Sequence, residues 1–313
     1  MRVMVTGAAG FVGGHAMTDL RKAGHSVIAT VMPGQPTTLP GSDITEAVDL
    51  LDEAGLAGFV ARHQPDACMH LAGMAFVPAA WEHPQTAFQV NVIGTINLLE
   101  AFRKHAPAAR VLAITSAQVY GHQVRSAPIR ESDQPALESL YGLTKWSADV
   151  ATLMYAQRYG MHTMTARPCN HIGPGQSESF VVSAFARQLI AIAAGQQPNL
   201  MQVGNLASER EFTDVRDTVR AYRLILEKGH PGLAYNVATG KMTTIQSLFD
   251  QLCAIVGVKP ELTIDPKLFR PTDSQPLIDT SRIFDHTGWK PEIDIATTLR
   301  DVVEDFRRRK SAA

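Results

Sequence analysis

Near its start the chain reads RVMVTGAAGFVGGHAMTDLRKAG, a β-branched apolar run that breaks into spaced glycines and resumes as an amphipathic stretch. A strand that turns through Gly7, Gly10 and Gly13 directly into a helix commits this segment to a strand-turn-helix unit. Such a unit needs a crossover and a parallel partner strand. Lacking Cβ atoms, the turn can lie against a pyrophosphate, while the helix N-terminus behind it directs amide hydrogens and partial positive charge at that group. The spacing is GxxGxxG rather than GxGxxG. A tight turn without a ligand is the plainer reading; the strand before it and the amphipathic helix after it favour a dinucleotide.

The alternation continues. β-branched runs at 2–6, 26–30, 67–71, 110–114 and 162–167 are separated by helical patterns at 13–23, 50–63, 86–105 and 143–159. This predicts an α/β fold with a doubly wound parallel Rossmann sheet. After Pro168 the pattern changes to Gly/Pro-rich turns (NHIGPGQ), helices near 180–194 and 215–227, a short strand at 234–238, and a tail of helix, strand, loop and helix. The expected division is a dinucleotide-binding Rossmann domain over 1–167, to which about 211–240 returns, and a smaller C-terminal α/β substrate lobe over 168–210 and 241–313. With 29 basic and 30 acidic residues, the chain offers no electrostatic case for a nucleic-acid or membrane partner. Cys68, Cys169 and Cys253 form no CxxC pair, so neither a disulfide framework nor a metal site is expected. No apolar run approaches the ~18 residues of a membrane span, and a soluble, cytoplasmic protein is expected.

Two further stretches carry chemistry. TSAQVYG at 115–121 follows an apolar strand and delivers Ser116 to a sheet edge; YGLTK at 141–145 opens a helix. A spacing of four places Tyr141 and Lys145 on one helix face, where an ammonium can stabilise a phenolate and let tyrosine exchange a proton near neutral pH. An aromatic resting on a lysine stem is the alternative; the glycine loop, Ser116 and their order in the chain favour catalysis. About twenty residues past the glycine loop, Thr30-Val31-Met32 supplies no acid for an NAD ribose, and no Arg or Lys lies between Lys22 and Arg62 to hold a 2′-phosphate. NADP and NAD both stay open as cofactor. Asp49 either contacts the adenine or caps the following helix.

These motifs, with HLAG at 70–73, NVIGT at 91–95, RPCNHIGPGQ at 167–176, REFTDVRD at 210–217, YNVATG at 235–240 and TGWKPEI at 287–293, resemble the extended short-chain dehydrogenase/reductases acting on nucleotide sugars, over essentially the whole chain. Through NHIGPGQ, SFV at 179–181 and VGNLASEREFTDVRD, the chain is most similar to the GDP-4-keto-6-deoxymannose reductases. The resemblance implies Ser116, Tyr141 and Lys145 as catalytic residues and Gly7, Gly10, Phe11, Val12 and Gly13 as the pyrophosphate loop. It implies cofactor contacts at Asp49, Leu50, Leu71, Ala72 and Gly73, and at Asn91 and Arg167; for Asn91 a structural hydrogen bond is equally expected. On the substrate side it implies Gln118, Asn170, Phe180, Val181, Arg210, Arg270 and Asp273, the arginines matching diphosphate oxygens. Turn formation for Asn170, core packing for Phe180 and Val181, and a surface charge for Asp273 remain alternatives. His171 reads as packed or capping.

The implied reaction is NAD(P)H-dependent reduction of the C4 keto group of GDP-4-keto-6-deoxy-D-mannose to GDP-D-rhamnose. A nucleotide-sugar 4-epimerase that retains NAD is the alternative, followed by a GDP-mannose 4,6-dehydratase or a non-catalytic dinucleotide sensor. Dehydratases of the family carry Thr-Asp-Glu or Thr-Ser-Glu where this chain has Ser116, Ala117 and Gln118. Neither alanine nor an amide can serve as the acid and base of elimination. The family also commonly pairs through two long helices, here 86–105 and 143–159, which implies a homodimer using an apolar stripe at Ile93, Ile96, Leu99 and Phe102.

Overall fold

The computed structural model describes residues 1–123, 127–266, 268 and 276–311. In the first half, strands β1 (Arg2–Thr6), β2 (Ser26–Val31), β3 (Ile44–Ala47), β4 (Ala67–His70), β5 (Arg110–Ile114) and β6 (His162–Pro168) are linked through helices α1 (Phe11–Lys22), α2 (Glu53–His63), α3 (Val77–Glu82), α4 (Pro84–Phe88), α5 (Gly94–His105) and α6 (Leu140–Tyr159). The second half adds strands β7 (Asn170–Ile172), β8 (Leu200–Val203), β9 (Glu209–Asp214), β10 (Ala234–Val237), β11 (Met242–Thr244) and β12 (Glu261–Ile264). Its helices are α7 (Val181–Ala193), α8 (Val215–Lys228), α9 (Ile245–Val256), α10 (Ser281–Thr287) and α11 (Ile295–Ser311).

Seven strands form one parallel sheet in the order β10, β6, β5, β4, β1, β2, β3. Covered on both faces, its central strands can be apolar throughout, and their residues alternate between two cores. On one face Val3, Val5, Met69, Leu112 and Ala166 meet Leu20 of α1 and Tyr222 and Ile225 of α8. On the other, Met4, Cys68 and Val111 meet Phe59 of α2 and Leu98 and Phe102 of α5. This is the doubly wound α/β fold expected from the alternation.

A separate core joins Val182 and Leu189 of α7, Leu248 and Leu252 of α9, Leu299 and Val302 of α11, and Phe212 of β9. Its strands are short: β9 lies between β7 and β11, and β8 pairs with β12. Helix α8 and strand β10 belong with the large sheet, whereas β9, up to Asp214, pairs with β7 and β11. From β1 the large sheet grows through β2 to β3, and the chain then returns to place β4 on the other side of β1. The C-terminal ends of β1 and β4 therefore border the crevice where the winding reverses.

Four local expectations need correction. Strand β3 was not foreseen, because a four-residue edge strand, three residues half-buried and Ala47 exposed, follows a stretch broken by Pro33, Gly34, Pro36, Pro40 and Gly41. The helix expected over 86–105 is interrupted: a π turn at Gln89–Ile93 separates α4 from α5 and carries Asn91 into the interior. The helix expected from Leu50 starts at Glu53, capped by Asp52 rather than Asp49. Of the proposed apolar stripe, Leu99 and Phe102 are fully buried in the sheet core, while Ile93 is exposed and Ile96 half-buried. Among the described residues no helix is long and apolar enough to cross a membrane.

Candidate active site

Thr6 of β1 pairs with His70 of β4, and the loops that follow these strands touch. Gly7 has φ +65°, and a Cβ on it would lie 2.9 Å from Ala72 Cα; a Cβ on Gly13 would lie 2.4 Å from the Ala8 carbonyl oxygen. Any side chain at either position would force the turn open. Gly10 caps α1 without a side-chain hydrogen bond and no acid occupies the first turn, whereas Asp52, Ser139, Asp214 and Thr244 cap α2, α6, α8 and α9 with their own oxygens. The positive end of α1 thus faces the crevice uncapped, which suits a diphosphate such as that of NADP or NAD.

Thr6 Oγ1 accepts from the Ala72 amide at 3.1 Å and lies 2.7 Å from His70 Nδ1. Thr95 donates its proton to the Asn91 carbonyl at 2.7 Å, so His70 Nε2, 3.1 Å from Thr95 Oγ1, carries the ring proton and Nδ1 accepts from Thr6. Burial, and then the Lys145 charge, pushes His70 down to about 3. This neutral histidine fixes the path of 71–73 past the crevice. At the end of that path a Cβ on Gly73 would fall 2.8 Å from Asn91 Oδ1 and 3.2 Å from Lys145 Nζ.

Ser116, two residues past the end of β5, caps a short 3-10 turn at Ala117–Tyr120, its Oγ accepting from the Gln118 amide at 3.1 Å. Ser139 Oγ accepts from the Gly142 amide at 2.9 Å and so starts α6 one turn ahead of Lys145. The Ser116 hydroxyl lies close enough to the Tyr141 phenol to favour its ionised form. Lys145 Nζ donates to the Ile114 carbonyl at 3.0 Å and lies 6.0 Å from the centre of the Tyr141 ring. Burial pushes the Tyr141 phenol up to about 12, with the Ser116 hydroxyl working the other way. Burial brings the Lys145 ammonium down to about 8. At neutral pH the phenol keeps its proton and the lysine its charge.

Asn91, Leu50 and Arg167 all face the protein. The Asn91 amide accepts from Met74 N at 2.8 Å and donates to Met74 O at 3.2 Å and Thr144 Oγ1 at 2.9 Å, tying the loop after β4 to α6. Leu50 is buried under α5, with Asn97 donating to its carbonyl, and Asp49 closes a local turn by accepting from Leu51 N. The expectation that Arg167 contacts the cofactor is corrected. Its guanidinium is buried, donates twice to Asp149 (3.1 and 2.6 Å), once to the Tyr120 hydroxyl and once to the Glu131 carbonyl, and stacks between Tyr120 and Trp146. Asp149 also accepts from Thr115. Asp149 therefore ties β6, through Arg167, and the residue after β5, through Thr115, to the helix carrying Tyr141 and Lys145. Leu71 and Val12 are half-buried against the sheet core.

On the substrate side, Asn170 is half-buried and donates to the Glu211 carbonyl at 3.2 Å. Phe11, the first residue of α1, stacks on His171, ring centres 6.1 Å apart, so β7 packs directly on the end of the glycine loop. Gln118 is half-buried beside Ser116. Arg210 lies on β9 opposite Thr243 and donates to the Glu209 carbonyl. Val181 packs into the core of α7, while Phe180 stays exposed and meets Phe76 edge to face. Arg270 and Asp273 lie outside the described residues. Sequence reasoning passed over Phe76, Asp149 and the Thr6–His70 pair. An aromatic shortly after HLAG was the only available signal for Phe76; its partner is far along the chain.

A family model described as GDP-mannose 4,6 dehydratase matches residues 4–302. The chain is 36% identical to the GDP-6-deoxy-D-mannose reductase of Pseudomonas aeruginosa, covering 98% of each protein. The solved structure of RMD from Pseudomonas aeruginosa complexed with NADPH superposes with a TM-score of 0.87 at 35% identity, over 98% of this chain and 99% of that one. The UDP-glucose 4-epimerase of Thermotoga maritima, solved with UDP-glucose, gives a TM-score of 0.88 at 27% identity, over 99% of this chain and all of the other.

Proposed function

The chain belongs to the GDP-mannose 4,6-dehydratase family, within the extended short-chain dehydrogenase/reductases, and on that footing we propose that it reduces the C4 keto group of GDP-4-keto-6-deoxy-D-mannose to give GDP-D-rhamnose. The observation that carries this reading is the Ser116–Tyr141 hydroxyl pair at the sheet edge, followed by Ala117 and Gln118 where elimination would need an acid and a base. The 36% identity to a GDP-6-deoxy-D-mannose reductase supports it.

The C4 oxygen of the sugar accepts hydrogen bonds from Ser116 and Tyr141. When bound, the dinucleotide supplies the hydride that attacks C4. As negative charge grows on the oxygen, the Tyr141 proton moves to it and a secondary alcohol results. Lys145 stabilises the phenolate left behind until solvent returns a proton. Gly7, Gly10 and Gly13 with the first turn of α1 hold the cofactor diphosphate, and the 71–73 segment borders its nicotinamide end. Asn170 and Arg210, with Arg270 and Asp273 from the undescribed segment, hold the sugar nucleotide. NADPH and NADH both remain candidate reductants.

The likeness to a UDP-glucose 4-epimerase favours a second reading, in which the cofactor stays bound and the hydride returns to the other face of C4. Release of oxidised cofactor in step with product excludes it. The dehydratase reading is tested by incubating GDP-mannose with the protein and NADP in deuterated water. No 6-deoxy methyl signal is expected; one carrying solvent deuterium would overturn the assignment of the edge. We also propose a homodimer formed through α5 and α6, with Ile93 exposed in the turn before α5 and Met154 and Tyr159 exposed on α6. A single-chain mass in sedimentation at micromolar concentration would contradict it.

A further inference from the structure

Tyr141 is gripped in two different ways. Its hydroxyl meets Ser116, in a polar flank that includes Gln118; its ring packs on Met74 and Val77, with Ala80 and Ala87 buried behind them. The apolar flank is held in place by the Asn91 amide, which bonds both the N–H and the carbonyl of Met74 and reaches Thr144, the residue before Lys145. Between Met74 and Val77 the chain turns Phe76 outward, 40% exposed, where it meets Phe180, 36% exposed, at 6.1 Å between ring centres and 75° between planes. Phe76 caps α3 after β4, and Phe180 caps α7 of the other core. Two large aromatics left in solvent by both cores meet each other, Phe76 being the neighbour of the Val77 that packs on the proposed acid. Core packing does not require either of them, since the neighbouring Val181 and Val77 do that work.

A sugar held by its C4 oxygen at Ser116 and Tyr141 extends from C4 in two directions: to C3, which bears a hydroxyl, and to C5, which bears C6. The site offers one polar and one apolar flank to meet them. We infer that Met74, Phe76, Val77 and Phe180 form a pocket for the C6 methyl, so that the protein selects sugars deoxygenated at C6 over those that keep the C6 hydroxyl. This rests on the reduction reading above. The physical basis is that a C6 hydroxyl in the pocket would lose water and find no partner.

The test runs the reaction backwards with NADP on GDP-D-rhamnose and GDP-D-mannose, which differ only at the C6 hydroxyl. The wild type is expected to favour GDP-D-rhamnose in kcat/KM by about tenfold to a hundredfold, the discrimination an apolar pocket achieves against an added hydroxyl. Phe76→Ala and Phe180→Ala should each lower that ratio at least several-fold while NADPH binding, followed by its fluorescence, stays unchanged. Phe180→Tyr, which keeps the ring and adds a hydroxyl partner, should lower it through faster oxidation of GDP-D-mannose. If the wild type oxidises neither sugar, the reduction reading fails. If it oxidises GDP-D-rhamnose but shows no preference, or a preference that all three variants retain, the methyl pocket is overturned and the reduction reading stands.

Discussion

The crevice between β1 and β4 and the surface around β7 and α7 are built by different means. In the crevice, buried side chains hold backbone: Thr6 holds Ala72, Asn91 holds Met74, and Lys145 holds the end of β5. Around β7, Asn170 donates to the Glu211 carbonyl and Phe180 stands in solvent. A reductase and an epimerase whose structures were solved with NADPH and with UDP-glucose share this fold almost equally, at TM-scores of 0.87 and 0.88. The crevice suits the chemistry such enzymes have in common, and the surface around β7 is the region we propose as deciding the identity of the sugar.

The sharpest way to separate the two regions is to damage one and leave the other. Tyr141→Phe removes the proposed proton donor but keeps the ring, so turnover should fall by ~100- to 10,000-fold while NADPH binding is unchanged; a loss below about tenfold in single-turnover hydride transfer would remove Tyr141 from the mechanism. Arg167→Ala leaves Asp149 charged and unpaired in the interior, and urea unfolding should report a loss of about 3–5 kcal/mol. Weakened NADPH binding with unaltered stability would instead return Arg167 to the cofactor. Asn170→Ala should raise KM for the sugar nucleotide roughly tenfold, the scale of one hydrogen bond to a charged group, without changing NADPH affinity. An equal loss for both ligands would erase the distinction between the regions. The smallest effect is with pH. Burial holds Lys145 down at about 8, so it is charged below that value and loses its charge as pH rises through it. Then kcat/KM for NADPH should decline above about pH 8 and show no such decline in Lys145→Ala; a flat wild-type profile would contradict this role.

The contrast between the regions also explains what could be read from the sequence. GAAGFVG is contiguous, so the turn, the start of α1 and the need for missing Cβ atoms are visible in seven letters. YGLTK encodes its own geometry through helical spacing, and the structure brings its tyrosine to Ser116. Arg167 was misread because its meaning depends on Asp149, a partner on another element that a strand-end motif does not reveal. Asn91 was legible as important yet not as buried, since the π turn that carries it inward looks like ordinary helix in sequence. Phe76 and Phe180 acquire a relationship only when two cores are placed side by side.

The central claim is that hydride moves from the nicotinamide to C4 of the sugar and stays there. It is tested most directly by supplying GDP-4-keto-6-deoxy-D-mannose with NADPH deuterated at the transferring position and following the sugar by NMR. The expected product is a GDP-6-deoxyhexose with one deuterium at C4 and one oxidised cofactor released for each sugar reduced. Recovery of sugar without deuterium at C4 and without net oxidation of the cofactor would contradict it.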